Sequence, residues 1–220
     1  TAKAANIGNY VYGVTTGREW FCQSSVIMRK DILDECGIDV SSITDYKDLT
    51  DVYATVKEKY PDMVMMASNN SATPDTKYEM NDTLTDGFGV LMDHGQDTTV
   101  VDYYETDEYK EFVETMYDWQ QKGYLSKDAA TTTESAENQV KAGAAFSYLA
   151  PNKPGYDTRA ALLCGTEMEI APISEPWAGT AQISYLTYGI SSSSADKDKT
   201  MQCLDYLYGN ADILNLLNWG

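Results

Sequence analysis

CQSSVIMRKDILDECGIDVSSITDYKDLTDVYATVKEKYPDMVMMAS, residues Cys22–Ser68, decides the fold. The stretch opens as a strand (Cys22–Met28) and passes into a short helix (Lys30–Cys36). Gly37 follows, a residue suited to the left-handed cap that ends a helix. Thr44 is expected to cap a second helix, with Leu49, Val52, Tyr53 and Val56 at i, i+3, i+4 and i+7 on one face. Pro61 ends that helix. The run DMVMMAS has strand length and no alternation, which predicts a buried parallel strand. Strand, helix, helix, strand is then expected to form a right-handed crossover unit.

The neighbouring segments extend the same pattern. Upstream, Asn9–Val14 alternates and reads as a short strand, leading into the irregular loop GVTTGREW. Downstream, Asn69–Asp97 is rich in Asn, Asp, Thr and Gly. Long irregular excursions of this kind are often functional; a short element is expected near Phe88–Met92 and a strand over Thr99–Tyr104. Asp107–Lys122 is the clearest helix, with Tyr109, Phe112, Val113, Met116 and Tyr117 on one face, acids in the first turn and Gly123 as cap. A helix over Glu134–Lys141 and a strand over Ala144–Leu149 follow, and Pro151 and Pro154 are expected to break the chain. Asp157–Leu163 reads as a helix, and Met168–Ile173 and Ala181–Ile190 as strands. A helix capped by Ser194 or Asp196 runs to Tyr208 and stops at Gly209, and Asn210 caps a last one. Helices and strands alternate throughout, so the class is α/β with a mixed, mainly parallel sheet flanked by helices.

The chain has 220 residues, 43% of them hydrophobic and 23% charged, which suits an ordinary globular protein with its own core. Its 34 acidic residues outnumber 16 basic ones, for a net charge of -18. Such a surface repels phosphate backbones, so nucleic acid is not an expected partner. No apolar run is long enough to cross a bilayer as a helix. The chain opens TAKAANIGN without a Met and ends LNLLNWG. Both ends read as cut, and the expectation is a portion of a longer protein whose targeting segment lies elsewhere. Cys22, Cys36, Cys164 and Cys203 have no metal-type or disulfide-framework spacing, so they read as buried free thiols.

Catalytic and cofactor signatures are missing. His94 is the single histidine, in the turn-like DHGQD, and no GxSxG elbow accompanies it. There is no P-loop, and GFG at Gly87–Gly89 does not open a dinucleotide-binding turn. NDTLTDG (Asn81–Gly87) faintly suggests a calcium loop but lacks the ligand spacing. No acid pair stands out for glycoside hydrolysis. No metal and no cofactor are expected. What remains is aromatic and amide chemistry: 17 Tyr and 4 Trp against 4 Phe. Tyr and Trp join an apolar face to a polar edge, which suits ligands such as sugars. Trp20, Tyr148 and Trp177 lie at strand ends or in loops, and Asn69, Asn70 and Asn152 follow strands. In α/β sheets ligands gather outside the C-terminal strand ends.

The order of segments resembles one family. VYGV, then MRKDILDECGIDVSSITDYKDLTDVYATVKEKYPD, then WQQKGYLSKDAATT and VKAGAAFSYL, and finally GISSSSADKDKTMQCLDYLYGNADILNLLNWG resemble segments of the extracellular solute-binding proteins of family 1, which serve ABC importers. The subgroup it is most similar to is the larger lipoproteins of Gram-positive gut bacteria that take up complex oligosaccharides. The resemblance covers nearly the whole chain. The sequence departs from it at GVTTG, where the family often has Pro after the YG pair, and in a long stretch around Asn81–Gly95.

The resemblance implies a periplasmic-binding-protein-like (type II) α/β lobe. It makes residues 1–220 one lobe of a two-lobed protein, with 1–16 and 182–190 near the crossing strands. Helices within 195–220 would belong with the other lobe. It implies a binding protein rather than an enzyme, one that captures a small polar solute, most simply an oligosaccharide, between two lobes. The solute would then pass to ABC permease subunits. The alternatives are a non-transport surface or adhesion domain and a carbohydrate-active enzyme. A monomer, extracellular and lipid-anchored in its full-length form, is expected. By position, the implied ligand contacts are Arg18, Trp20, Asn69, Asn70, Tyr148, Asn152 and Trp177.

Overall fold

The computed structural model describes residues 4–17, 20–21, 23–68, 81–84, 88–179 and 183–220. The chain divides into two compact units, Phe21–Trp177 and a smaller one of Thr1–Trp20 with Ala178–Gly220.

The larger unit is built on a mixed sheet of four strands, β1 (Gln23–Arg29), β2 (Val64–Met66), β6 (Ala145–Asn152) and β7 (Met168–Pro172). Their order is β7-β1-β6-β2. A separate antiparallel sheet holds β3 (Asp82–Thr83), β4 (Gly89–Leu91) and β5 (Val100–Asp102). β2 runs parallel to β6, as the run DMVMMAS predicts. β1 runs antiparallel to both β6 and β7. The expected crossover is therefore corrected: β6 separates β1 from β2, and the two point in opposite directions. Three of the four strands share one direction, yet two of the three ladders are antiparallel. An apolar run reports burial on both faces but carries no sign of direction.

β1 alternates its side chains between two layers. Val26 and Met28 face a cluster with helices α1 (Lys30–Cys36), α2 (Leu49–Lys59) and α3 (Asp107–Gln121). Ile27 faces a second cluster with α4 (Ala136–Lys141) and α5 (Tyr156–Cys164). Gly37 ends α1 in the left-handed region at φ 66°. All four predicted face residues of α2, Leu49, Val52, Tyr53 and Val56, are buried. Its start differs from expectation. A single 3-10 turn, Tyr46–Asp48, precedes it, and the cap is a reciprocal box of Asp45 and Asp48. Thr44 is a donor to Asp48, through its N–H at 2.9 Å and its hydroxyl at 3.1 Å. A carboxylate outcompetes a hydroxyl for exposed helix N–H groups because its bonds are charge-assisted.

Two further readings are corrected. The buried face of α3 is Phe112, Met116 and Trp119, while Val113 and Tyr117 are exposed. Trp119 sets this rotation. Its indole N–H donates to Thr50 Oγ1 at 2.9 Å, and its ring meets Tyr53 edge-on at 5.1 Å. β6 also continues through Pro151, which pairs with Ser24. The Ser24 N–H turns away to Ser174 Oγ at 2.8 Å, and β2 no longer flanks β6 there. The missing proline N–H is thus not needed by the ladder.

In the smaller unit, Asn6–Ile7 pairs with Tyr10–Val11, and Val14–Thr15 pairs with Thr187–Tyr188. Gly13 is required by close approach. A Cβ there would lie 2.6 Å from the Tyr188 carbonyl oxygen and 2.4 Å from Thr187 Cγ2. The long strand expected over Ala181–Ile190 is shorter. Residues 180–182 lie outside the described set, Ile183 and Ser184 are helical, and only Thr187–Tyr188 pairs. Thr187 donates its hydroxyl to the Ser184 carbonyl oxygen at 3.2 Å, a local turn that competes with extended pairing. Helices Lys197–Gly209 and Ala211–Trp219 begin at Asp196 and Asn210, each accepting an N–H from the first turn. The Tyr208 hydroxyl donates to the Thr15 carbonyl oxygen at 3.1 Å, and its ring meets Tyr188 at 5.8 Å. Cys36, Cys164 and Cys203 are free, but Cys203 is exposed rather than buried. Cys22 lies outside the described residues.

Candidate functional site: a groove at the strand ends

Because β2, β6 and β7 point the same way, their C-terminal ends emerge together, beside the start of β1. Gln23 stands opposite Asn152, and Ser25 opposite Pro172. An open groove of about 450 Å³ lies there. It is lined by Phe21, Gln23, Asn152, Lys153, Pro154, Gly155, Asp157, Ile170 and Pro176, all in the larger unit.

Local sequence explains each placement. Phe21 precedes β1 and is 65% exposed, an apolar ring held at the surface. Asn152 is the last residue of β6. After it, NKPG makes a tight turn: the Tyr156 N–H donates to the Lys153 carbonyl oxygen at 3.0 Å, and Gly155 takes φ 82°. A side chain at that φ would be strained, so glycine serves here to start α5 and set Asp157 in its first turn.

The loop after β7 is tied to β1 by three hydrogen bonds. The Ile173 N–H donates to the Ser24 carbonyl oxygen at 2.8 Å, and the Ser24 N–H donates to Ser174 Oγ at 2.8 Å. The Gln23 side-chain amide donates to the Ser174 carbonyl oxygen at 3.3 Å. Pro176 and Trp177 follow.

Trp177 is buried and stacks on His94, with ring centroids 5.2 Å apart and planes inclined by 22°. His94 sits in a left-handed turn after β4: Asp93 has φ 52°, His94 φ 55° and Gly95 φ 79°. Among the described residues neither Trp177 Nε1 nor His94 Nδ1 has a hydrogen-bond partner, although both atoms are buried.

The residues singled out in the sequence fall into three groups. Asn152 lines the groove, and Trp177 follows Pro176 at its edge. Tyr148 and Trp20 do not belong to the lining. Tyr148 is corrected from a strand-end contact to a core residue: it is 2% exposed in the second cluster. Burial pushes its phenol far above the ordinary tyrosine range. Trp20 is half-buried, in the smaller unit. Arg18, Asn69 and Asn70 lie outside the described residues. Ser68, directly before Asn69, is buried, and its carbonyl oxygen accepts from the Gln139 side chain at 3.0 Å.

The sequence reading missed Phe21, Gln23, Lys153, Asp157 and Pro176. Most flank residues it did select, so the usable signal was adjacency to Trp20, Asn152 and Trp177. The suggested calcium segment instead contributes Asp82–Thr83 to β3. Among the described residues no group of three His, Cys, Asp or Glu could hold a metal ion. Among them, too, no helix is long and apolar enough to cross a membrane.

The groove joins an exposed aromatic ring, two side-chain amides and one charge of each sign. This set can cover a CH face and exchange hydrogen bonds with several hydroxyls.

No protein-family model matches the chain. The architecture is nonetheless that of the periplasmic-binding-protein-like solute-binding proteins. One such structure is an extracellular solute-binding protein family 1 member from Alicyclobacillus acidocaldarius, with TM-score 0.56 and 11% identity over 95% of this chain and 51% of that one. The N-glycan transport solute-binding protein NgtS of Streptococcus pneumoniae is similar at TM-score 0.85 and 25% identity, over 97% of this chain and 47% of that one. Its structure in complex with Man5GlcNAc aligns at TM-score 0.75 and 26% identity, with the same coverage. A curated carbohydrate ABC transporter substrate-binding protein of the same species is 26% identical over 219 residues, 99% of this chain and 44% of that protein. The resemblance read from the sequence is thus borne out, and the chain spans about half the length of these relatives. Each of these relatives is a solute- or substrate-binding protein.

Proposed function

We propose that the protein of which this chain is a part is the extracellular substrate-binding component of an ABC importer, and that its cargo is an oligosaccharide. The observation that carries the reading is the similarity, across 97% of the chain, to a protein solved with N-glycan fragments. The groove chemistry supports it independently: an aromatic face and amides on a rigid sheet end are what a polar ligand with CH faces requires.

On this reading residues 1–220 are one α/β lobe of a two-lobed protein. Residues 1–16 and 182–190 lie near the crossing strands, and the helices within 195–220 belong with the other lobe. The groove supplies Asn152, Phe21 and Gln23, with Trp177 at its edge. Arg18, Trp20, Asn69 and Asn70 stay in the proposal on their sequence positions, and Tyr148 supports the strand from within. Cargo is captured when the two lobes close on it, and the closed form docks on permease subunits. The full-length protein is a monomer held at the cell surface by a lipid anchor.

The test is a thermal-shift and calorimetric screen of the two-lobed protein against oligosaccharides, monosaccharides and short peptides. A ligand that binds only the folded form raises the melting temperature by mass action. Binding of one glycan class is expected. Phe21→Ala and Asn152→Ala should each weaken it by about tenfold or more, the loss of about 1.4 kcal/mol. Binding of peptides alone, or of no solute on the panel, would overturn the sugar reading.

A further inference from the structure

Helix α3 carries two apolar lines, and the core takes one of them. Phe112, Met116 and Trp119 are buried. A second line, Tyr109, Val113 and Tyr117, repeats beside it at i, i+4 and i+8. Tyr109 packs in part against the core, but Val113 is 43% exposed and Tyr117 67%. Rings from the antiparallel sheet lengthen this line. Tyr104, just after β5, meets Tyr109 edge-on at 4.9 Å, and Phe88, just before β4, meets Tyr104 at 5.7 Å. Both rings are exposed. One connected stripe therefore runs from Phe88 to Tyr117, all of it in the larger unit. Single apolar side chains at a surface are ordinary, whereas a connected set marks a contact.

The stripe starts at the groove end of the sheet. After α3 the chain turns back, and Leu125 bridges Met66 of β2 in parallel. Because β2 points to the groove end, α3 descends from it. Tyr104 and Tyr109 stand toward the groove, and Tyr117 lies about 12 Å further down the helix axis.

Charge selects the occupant. Glu105, Asp107, Glu108 and Glu114 are exposed around the stripe and have no ion pair among the described residues. Lys110 is the one base between Asp102 and Gln121. A second copy of this face would set acids against acids, and an anionic membrane would be repelled. A glycan finds no hollow here, because the rings meet edge to face along a convex helix. The fitting occupant is a protein segment with apolar side chains ringed by Lys or Arg. The rings and Val113 would supply the binding, and the acidic rim the steering.

We infer that the stripe from Phe88 to Tyr117 is a docking surface for a basic, apolar-bearing protein segment, and that this segment belongs to the permease subunits. The identity of the partner rests on the capture reading, in which cargo leaves the groove for a membrane protein; a contact surface that begins at the groove end is placed for that transfer.

The test sets the two-lobed protein, loaded with glycan, against its permease subunits in phosphatidylcholine nanodiscs. The wild type should dock, and more weakly as salt rises. Val113→Ser with Tyr117→Ser should weaken docking by about tenfold or more, and so should Glu105→Lys with Glu114→Lys. Lys110→Glu should strengthen it. Glycan affinity and melting temperature should stay those of the wild type in all three, since these side chains are exposed and none lines the groove. Docking at wild-type strength by both double variants would overturn the inference, as would a glycan-loaded wild type that does not dock. Glycan binding lost with the stripe would make it a sugar site, and a wild-type dimer lost with it a self-contact; either also overturns the inference. A wild type that takes up no glycan sinks the capture reading, and the permease as partner with it. A wild type that takes up glycan and docks no better than its variants sinks the stripe alone.

Discussion

Tyr53 Oη lies 2.9 Å from Ser147 Oγ, and Ser147 in turn donates to the Met65 carbonyl oxygen at 2.7 Å. With its proton committed to Met65, Ser147 accepts from Tyr53. This buried chain joins α2 to β6 and β2 through groups with almost no water contact. Tyr53→Phe removes one donor and should cost about 1 kcal/mol. Ser147→Ala strands the buried Tyr53 hydroxyl and removes the side-chain bond to the Met65 carbonyl, and should cost about 2 kcal/mol. Equilibrium denaturant unfolding measures both, and equal losses would show that the chain is not coupled.

Alkaline pH should destabilise the larger unit. Burial raises the phenols of Tyr53, Tyr46, Tyr148 and Tyr156 above the ordinary tyrosine value. Below about pH 10 these phenols are protonated in both states. Above it the unfolded chain loses protons that the folded chain retains, so unfolding becomes more favourable as pH rises. Stability is fully present below that value and falls above it. Unfolding titrations between about pH 8 and pH 11 should show this loss, and Tyr53→Phe should reduce its slope.

The Asp45–Asp48 box predicts the opposite sign. Hydrogen bonds from the Thr44 and Asp45 N–H groups hold the Asp48 carboxyl below its ordinary value. Its contribution is present above the unfolded carboxylate value and lost as pH falls through the lower folded one. Asp48→Ala should lower stability by about 1 kcal/mol at neutral pH. The gap to wild type should close as pH falls below the ordinary carboxylate range. Thermal melts at the two pH values give the comparison.

Gly13→Ala should open the smaller unit selectively. The added methyl meets the Tyr188 carbonyl oxygen and the Thr187 methyl far inside contact distance. Overpacking of this kind costs about 1–3 kcal/mol. Hydrogen exchange should rise at Val14–Thr15 and Thr187–Tyr188, while Val26–Met28 keeps its protection. Uniformly faster exchange would mean that the two units unfold together.

The elements of this chain were legible and the directions of its strands were not. Helix α1 could be read to its last residue, because Gly37 carries its own conformational reason. The face of α2 was equally plain, since four apolar residues share a 3.6 period. Errors arose where tertiary partners decide. Trp119 turned α3 toward Tyr53 and Thr50, which no periodicity states. β6 ran through Pro151 because its neighbour had ended, a fact of the sheet and not of the segment. The groove was half legible. Asn152 followed a readable strand, and Trp177 stood in a readable loop. Phe21 and Gln23 entered only because β1 runs opposite to its neighbours, which sets its first residues among the ends of β6 and β7. His94 looked like an isolated turn residue, and its stacking partner lies more than eighty positions away.

The reversal of β1 separates the frame from the groove. It leaves the hydrogen-bonded ladders in the middle of the sheet and gathers the C-terminal ends of three strands at one margin. Exchanges beyond those ends need not disturb any ladder, so the groove can be reshaped while the frame is kept. A solved structure with 11% identity shares the fold along 95% of this chain.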